Sequence, residues 1–208
     1  MGRIEDGVEQ EGLPRFIMRV ALSPVYRAGT LNAQPLESVS GRTSPALVRL
    51  AGVADVPALA ALRPRSSAKD LLTRLESAHS CFAAFASASA LASQWGCESD
   101  ARFGELGLAL PLASGEVFGY GAYVQAAHRR KGISRALTQA YNEHYLGEGF
   151  RVSLAFAVLG RRPFGISDPH RIATIRTLRL GPFRKLWVKT YGSRAEYWRD
   201  RLKQLRWA

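Results

Sequence analysis

The clearest pattern in the chain runs from Val117 to Val158. Phe118, Tyr120 and Ala122 alternate with Gly119, Gly121 and Tyr123, which is the two-residue period of a strand over 117–125. Ile133, Ala136, Leu137, Ala140, Tyr141 and Leu146 then recur at spacings of three and four, and Gly147 and Gly149 mark the stop of a helix. Val152, Leu154, Phe156 and Val158 return to alternation and predict another strand. Upstream, 46–50 reads as a strand. Asp55 and Pro57 open a helix as N-cap and first-turn proline, and Ser67 with Asp70 caps a second helix over 67–78. Residues 81–87 read as a strand, and Leu106, Leu108 and Leu110 predict a hairpin over 105–125 with its turn at 113–116. Downstream, Asp168-Pro169 followed by Ile172, Ile175 and Leu178 predicts a helix ending at Gly181-Pro182. A strand over 183–190 and a terminal helix over 194–206 complete the chain. The pattern is mixed α/β.

Residues 23–45 are rich in Ser, Pro, Gly, Asn and Thr and carry no sustained period. The expected organisation is an irregular extension over 1–43, a domain over 44–192 and a basic amphipathic helix over 193–208. The 208 residues, 47% hydrophobic, suffice for one domain with a full core. No apolar run reads as a membrane span or a signal peptide. Two cysteines make neither a disulfide framework nor a zinc site, so a reducing cytoplasm is the expected location.

Charge changes the picture. Residues 1–127 carry 11 basic and 12 acidic side chains, whereas residues 128–208 carry 18 and 5. A half this positive attracts anions, among them phosphates, nucleic acid and acidic carriers. At its start lies Tyr123-Val-Gln-Ala-Ala-His-Arg-Arg-Lys-Gly-Ile-Ser-Arg-Ala-Leu137, a strand end, a basic loop and a helix start. Unpaired N–H groups at a helix N-terminus, a glycine that permits close approach and three flanking cations form an anion site suited to a pyrophosphate.

The run Val124-x-x-x-x-Arg129-x-x-Gly132-x-Ser134, continued by Arg135-Ala136-Leu137, resembles motif A of the GNAT superfamily, the acyl-CoA-dependent N-acyltransferases. Residues 49–62 and 152–158 are similar in order to the family's first and fifth strand regions, and Asp168 to Phe183 looks like its motif B. The resemblance covers roughly 46–190. It implies a central, mostly antiparallel mixed sheet with a splayed strand pair and helices on both faces. It implies acetyl-CoA or another acyl-CoA as co-substrate and an amine as acceptor. By position, the backbone of Val124, Gln125 and Ala126 would pair with pantetheine. The N–H groups of Arg129, Arg130, Lys131, Gly132, Ile133 and Ser134 would hold the pyrophosphate, with His170 at the start of motif B. Family members are often homodimers.

The departures concern proton transfer. Thr177 stands where many members carry a thiolate-protonating tyrosine, and Tyr120 stands near the usual glutamate base. Tyr120, Glu116 and His170 are therefore the candidate acid and base groups, with Glu105 and Tyr123 behind them. Alternation places Tyr120 and Tyr123 on opposite strand faces. No metal-ligand spacing or hydrolase triad is present. The expected activity is direct N-acyl transfer to an acceptor that is anionic or borne on an anionic carrier. The alternatives are a nucleic-acid-binding module of the same fold and a longer-chain acyltransferase facing a membrane or carrier protein.

Overall fold

The computed structural model describes residues 26–37, 46–63, 66–158, 170–180 and 183–208. Within them the chain runs β1 (Tyr26–Pro35), β2 (Leu47–Leu50), a 3-10 turn (Val53–Asp55), α1 (Val56–Leu62), α2 (Ala68–Leu75), β3 (His79–Ala86) and β4 (Ser89–Cys97). It continues through β5 (Asp100–Phe103), β6 (Leu108–Pro111), β7 (Glu116–Val124), α3 (Ile133–Gly147), β8 (Val152–Val158), β9 (Arg171–Leu180), β10 (Phe183–Thr190), α4 (Ala195–Arg201) and β11 (Arg206–Trp207). Eight strands form one mixed sheet in the order β10-β9-β1-β8-β7-β4-β3-β2, and β11-β6-β5 form a small second sheet.

The β7–β8 pair sets the architecture. It is the parallel junction of the large sheet, in register only from Glu116↔Val152 to Gly119↔Ala155. Beyond it β8 stays with β1 as far as Val158↔Gly29, while β7 stays with β4 as far as Val124↔Ala92. The large sheet is thus two four-stranded halves that separate along the second half of β7. Within that stretch Gly121 and Ala122 face Gln94 between the pairs Trp95↔Tyr120 and Ser93↔Tyr123, which is a β-bulge. Gly121 sits there at φ +62°, a conformation that a side chain resists.

Strand alternation gives the sheet two apolar faces. Phe82, Ala84, Ala92 and Val117 pack under Ile133, Leu137, Tyr141 and Tyr145, one stripe of α3 at i+4 steps. Cys81, Ala83, Phe85 and Trp95 point the other way, into Leu59, Leu62 and Leu71 of α1 and α2. The small sheet, α4 and the 3-10 turn after it (Leu202–Gln204) cover the rest of that second face through Phe103, Leu108, Leu110, Trp198 and Leu202. Helices therefore lie on both faces, the fold class that the sequence implies.

Several local expectations are corrected. The segment read as a helix over 168–181 is β9 from Arg171 onward; residues 168–169 and 181–182 lie outside the described ones. Ile172, Thr174, Ile175 and Thr177 are β-branched, strands pair with both edges, and Ile172 to Ile175 are buried on both faces. The spacing of Ile172, Ile175 and Leu178 therefore fits either period. The predicted hairpin over 105–125 is not formed: β6 pairs with β5 and β11, and β7 pairs with β4 and β8. The supposed extension contributes β1, which lies between β8 and β9, while residues 1–25 lie outside the described ones. The helix expected over 194–206 is only Ala195–Arg201, and Trp198 and Leu202 are buried in the core. The apolar side of that basic segment is thereby used internally. Asp55 does not cap α1. Arg49 grips its carboxylate with two bonds of 2.7 Å, and the Gly52 N–H donates to it. Ser67 does cap α2, accepting from the Asp70 N–H at 3.0 Å. No helix among the described residues is long and apolar enough to cross a membrane.

Candidate active site

The buried stripe of α3 fixes the helix against the sheet and brings its N-terminus to the end of β7. The connection is short: a 3-10 turn over Ala126–His128, then Gly132 at the helix start. Gly132 has φ +80° and Arg130 has φ +61°. Glycine adopts this geometry freely, whereas an arginine is strained there by about 1 kcal/mol. Left-handed residues of this kind build anion-binding backbone concavities. Helical bonding begins with the Ala136 N–H donating to the Gly132 C=O. The N–H groups of Arg130 to Ser134 meet no backbone acceptor among the described residues. Arg129 differs from the expectation: its N–H donates to Ala126 C=O at 3.3 Å, and its Nε donates to Val124 C=O at 3.2 Å.

A cavity of about 750 Å³ opens over this turn. Val124, Arg129, Arg130, Gly132, Ile133 and Ser134 line it, joined by Gln34 and Pro35 of β1 and by His170 just before β9. Among the sequence candidates, Gln125, Ala126 and Lys131 adjoin the cavity without lining it. The same wall holds Asn142. Its Nδ2 donates to Glu37 C=O at 2.9 Å, and its buried Oδ1 has no partner among the described residues. A buried carbonyl oxygen left unpaired costs about 1–3 kcal/mol, which a ligand N–H entering the cavity would recover. The wall thus fits a ligand with a phosphate end and amide groups, as acyl-CoA has.

The opposite face of β7 carries a second concavity. Two hollows of about 580 Å³ each share Arg74, Arg102, Gly104, Phe118 and Tyr120, and so run together. One end reaches His79, Cys97 and Ser99; the other reaches Gly121 and Phe156, where β7 leaves β8. The bulge changes the side-chain pattern here: Tyr120 and Tyr123 both pack towards α1 and α2, not on opposite faces. Tyr120 Oη lies 3.0 Å from His79 Nδ1, and its ring stacks on Phe118 at 5.9 Å. Burial holds the Tyr120 hydroxyl well above the usual phenol range, against the pull of Arg74, so it stays protonated.

Glu116 is corrected. It lies at the start of β7, buried, with Oε2 accepting from Arg201 at 2.9 Å and from Ala113 N–H at 2.9 Å. It lines neither concavity and holds α4 to the sheet. Glu105 is exposed at the rim of the second concavity. Thr177 is buried within β9, so its alignment with a helix tyrosine does not hold.

Sequence reasoning missed His79 and Cys97 as a pair. They are direct cross-strand partners in the β3–β4 hairpin, and β4 was not foreseen as a strand. Burial alone would raise the Cys97 thiol. Hydrogen bonds from His79, from the Ser99 hydroxyl and from the Ser99 and Asp100 backbone outweigh it and bring the thiol down to about 6. Cys81, buried without such donors, is pushed up to about 12. Alkylation by iodoacetamide at pH 7.5, read by peptide mass mapping, is therefore expected at Cys97 and not at Cys81. Its rate should rise with pH through about 6, because only the thiolate reacts. His79→Ala should move that rise to higher pH. Equal labelling of both cysteines would contradict the assignment.

No protein-family model matches the chain, and no curated protein matches it. Solved structures do. A GCN5-related N-acetyltransferase from Kribbella flavida is 12% identical over 87% of this chain and 66% of that one, with a TM-score of 0.49. A GCN5-related N-acetyltransferase from Sphaerobacter thermophilus is 16% identical over 71% and 50%, with a TM-score of 0.48. The ribosomal-protein-alanine N-acetyltransferase of Brucella melitensis biovar Abortus 2308 is 17% identical over 50% and 74%, with a TM-score of 0.38. By its own mixed sheet, opened between two parallel strands beside a strand–loop–helix cradle, the fold is of the GNAT type.

Proposed function

We propose that the protein is an acyl-CoA-dependent N-acyltransferase, most simply an N-acetyltransferase, that passes the acyl group directly to an amine. The observation that supports this best is the N–H run of Arg130 to Ser134, without a backbone acceptor among the described residues, in a cavity beside the strand that parts from β8. In this reading those groups hold the pyrophosphate, with charge from Arg129 and Arg130. The edge of β7 beyond Gly119, which meets no strand there among the described residues, and the Asn142 Oδ1 receive the pantetheine amides. The acyl thioester is already activated, so placement beside a neutral amine supplies most of the rate. Tyr120 and His79 face the acceptor side of the same strand. Tyr120 relays the proton that the attacking amine sheds, its oxygen taking that proton as its own passes to His79 Nδ1, and CoA departs as the thiolate.

Calorimetric titration with acetyl-CoA, CoA and a long-chain acyl-CoA tests the reading. Micromolar binding of acetyl-CoA is expected. Preference for the long chain would make this a longer-chain acyltransferase, and no binding by a folded sample would overturn the proposal.

A further inference from the structure

The second concavity is lined by three arginines, and they come from the half of the chain that is close to neutral. Arg63 ends α1, Arg74 lies on α2 and Arg102 on β5. Arg63 Nη1 donates to Gly121 C=O at 3.1 Å, its guanidinium 5.1 Å from the Tyr123 ring centroid. Arg74 sits over Trp95 and Tyr120, 5.7 and 5.9 Å from their ring centroids. None of the three makes an ion pair among the described residues. Of the nearby acids, Asp100 is engaged by Arg206 at 3.0 Å, leaving the exposed Glu105 at the rim. Burial lowers the Arg63 guanidinium from its ordinary value, Tyr123 opposes this, and the nearby Arg74 charge lowers it further, so Arg63 and Arg74 repel each other. Three cations in one hollow, none in an ion pair among the described residues, favour the entry of an anion.

We propose that this groove binds an amine acceptor carrying a carboxylate or phosphate, with the oxyanion on Arg74 and Arg102 and the amine at Tyr120 and Gly121. The proposal rests on the acyl-transfer reading above. Arg63 holds the bulge carbonyl and adds field near the reacting end. Phe118 and Phe156 give the wall an apolar stretch for the body of the acceptor between the two ends. A polycationic amine meets three like charges here and is excluded.

The test uses matched acceptors with acetyl-CoA and mass-spectrometric product detection: phenylalanine against phenylalaninamide, and glucosamine 6-phosphate against glucosamine. One anionic member is expected to exceed its neutral partner by about tenfold or more in kcat/KM, the worth of one charge-assisted contact. Which pair responds identifies carboxylate or phosphate. Arg102→Gln, at an exposed position, and Arg74→Gln should remove that preference through KM while leaving acetyl-CoA affinity unchanged. Calorimetry of the same amines on CoA-loaded protein reads the preference without turnover. Equal or better use and binding of the neutral amines, or a preference that survives both variants, overturns this proposal. Failure to bind acetyl-CoA overturns the acyl-transfer reading instead.

Discussion

Arg201→Met is expected to lower the unfolding free energy by about 3–5 kcal/mol, because it strands a buried carboxylate. Arg201 Nη2 donates to Glu116 Oε2 at 2.9 Å, with the two side chains 8% and 6% exposed. The same guanidinium donates to Pro111 C=O and, at 2.6 Å, to Gln204 Oε1, so α4, β6 and β7 meet on one cation. A loss of that size in a chain this long corresponds to roughly 10 °C in Tm. Adding Glu116→Gln should restore part of the loss, since the amide oxygen can still accept from Ala113 N–H and no charge is left buried. Chemical denaturation of the two single variants and the double variant reads this as non-additivity. Additive losses would show that the pair is not coupled. The folded fraction of Arg201→Met should bind acetyl-CoA as the parent does, because the pair lines neither concavity.

That position illustrates why part of the fold was hidden in the sequence. Glu116 looks like any turn-proximal carboxylate on a strand, and its partner is 85 residues away on a helix whose docking no local pattern reveals. The pair His79 and Cys97 was hidden for a related reason. Its proximity depends on the β3–β4 register, and the Ala/Ser-rich β4 has little of the β-branched content that marks a strand. The bulge at Gly121–Ala122 reverses the alternation argument that separated Tyr120 from Tyr123, and a bulge leaves no period to read. By contrast the strand–loop–helix course from Val124 to Leu137 was legible as local structure. Its information is local: a strand end, a glycine that must turn left-handed, and an apolar stripe at i+4 spacing that fixes the helix direction. The β8 strand was legible for the same reason. β9 was not, because a β-branched segment buried on both faces carries no single period and its flanking Pro and Gly bound either element.

Gly132→Glu is expected to weaken acetyl-CoA binding by about 100-fold or more, the worth of losing two or more charge-assisted contacts. A Cβ at this position would meet no atom within 4 Å, so steric clash is not the cause. Two other effects are. The backbone stands at φ +80°, which costs a non-glycine residue about 1–2 kcal/mol. The new carboxylate also lies at the N-terminus of α3, among the N–H groups of Arg130 to Ser134, where it is attracted as any anion would be. It therefore offsets part of its own strain and fills the cradle that the pyrophosphate needs. Gly132→Asn separates the two effects, since asparagine tolerates the left-handed region and brings no charge. It should keep the fold and lose affinity by less than tenfold, the limit set by about 1 kcal/mol of residual strain. Thermal unfolding of both variants guards against a folding defect. If Gly132→Glu is folded and binds acetyl-CoA like the parent, the phosphates do not sit on this turn. If both variants lose binding equally, backbone geometry rather than charge governs the site.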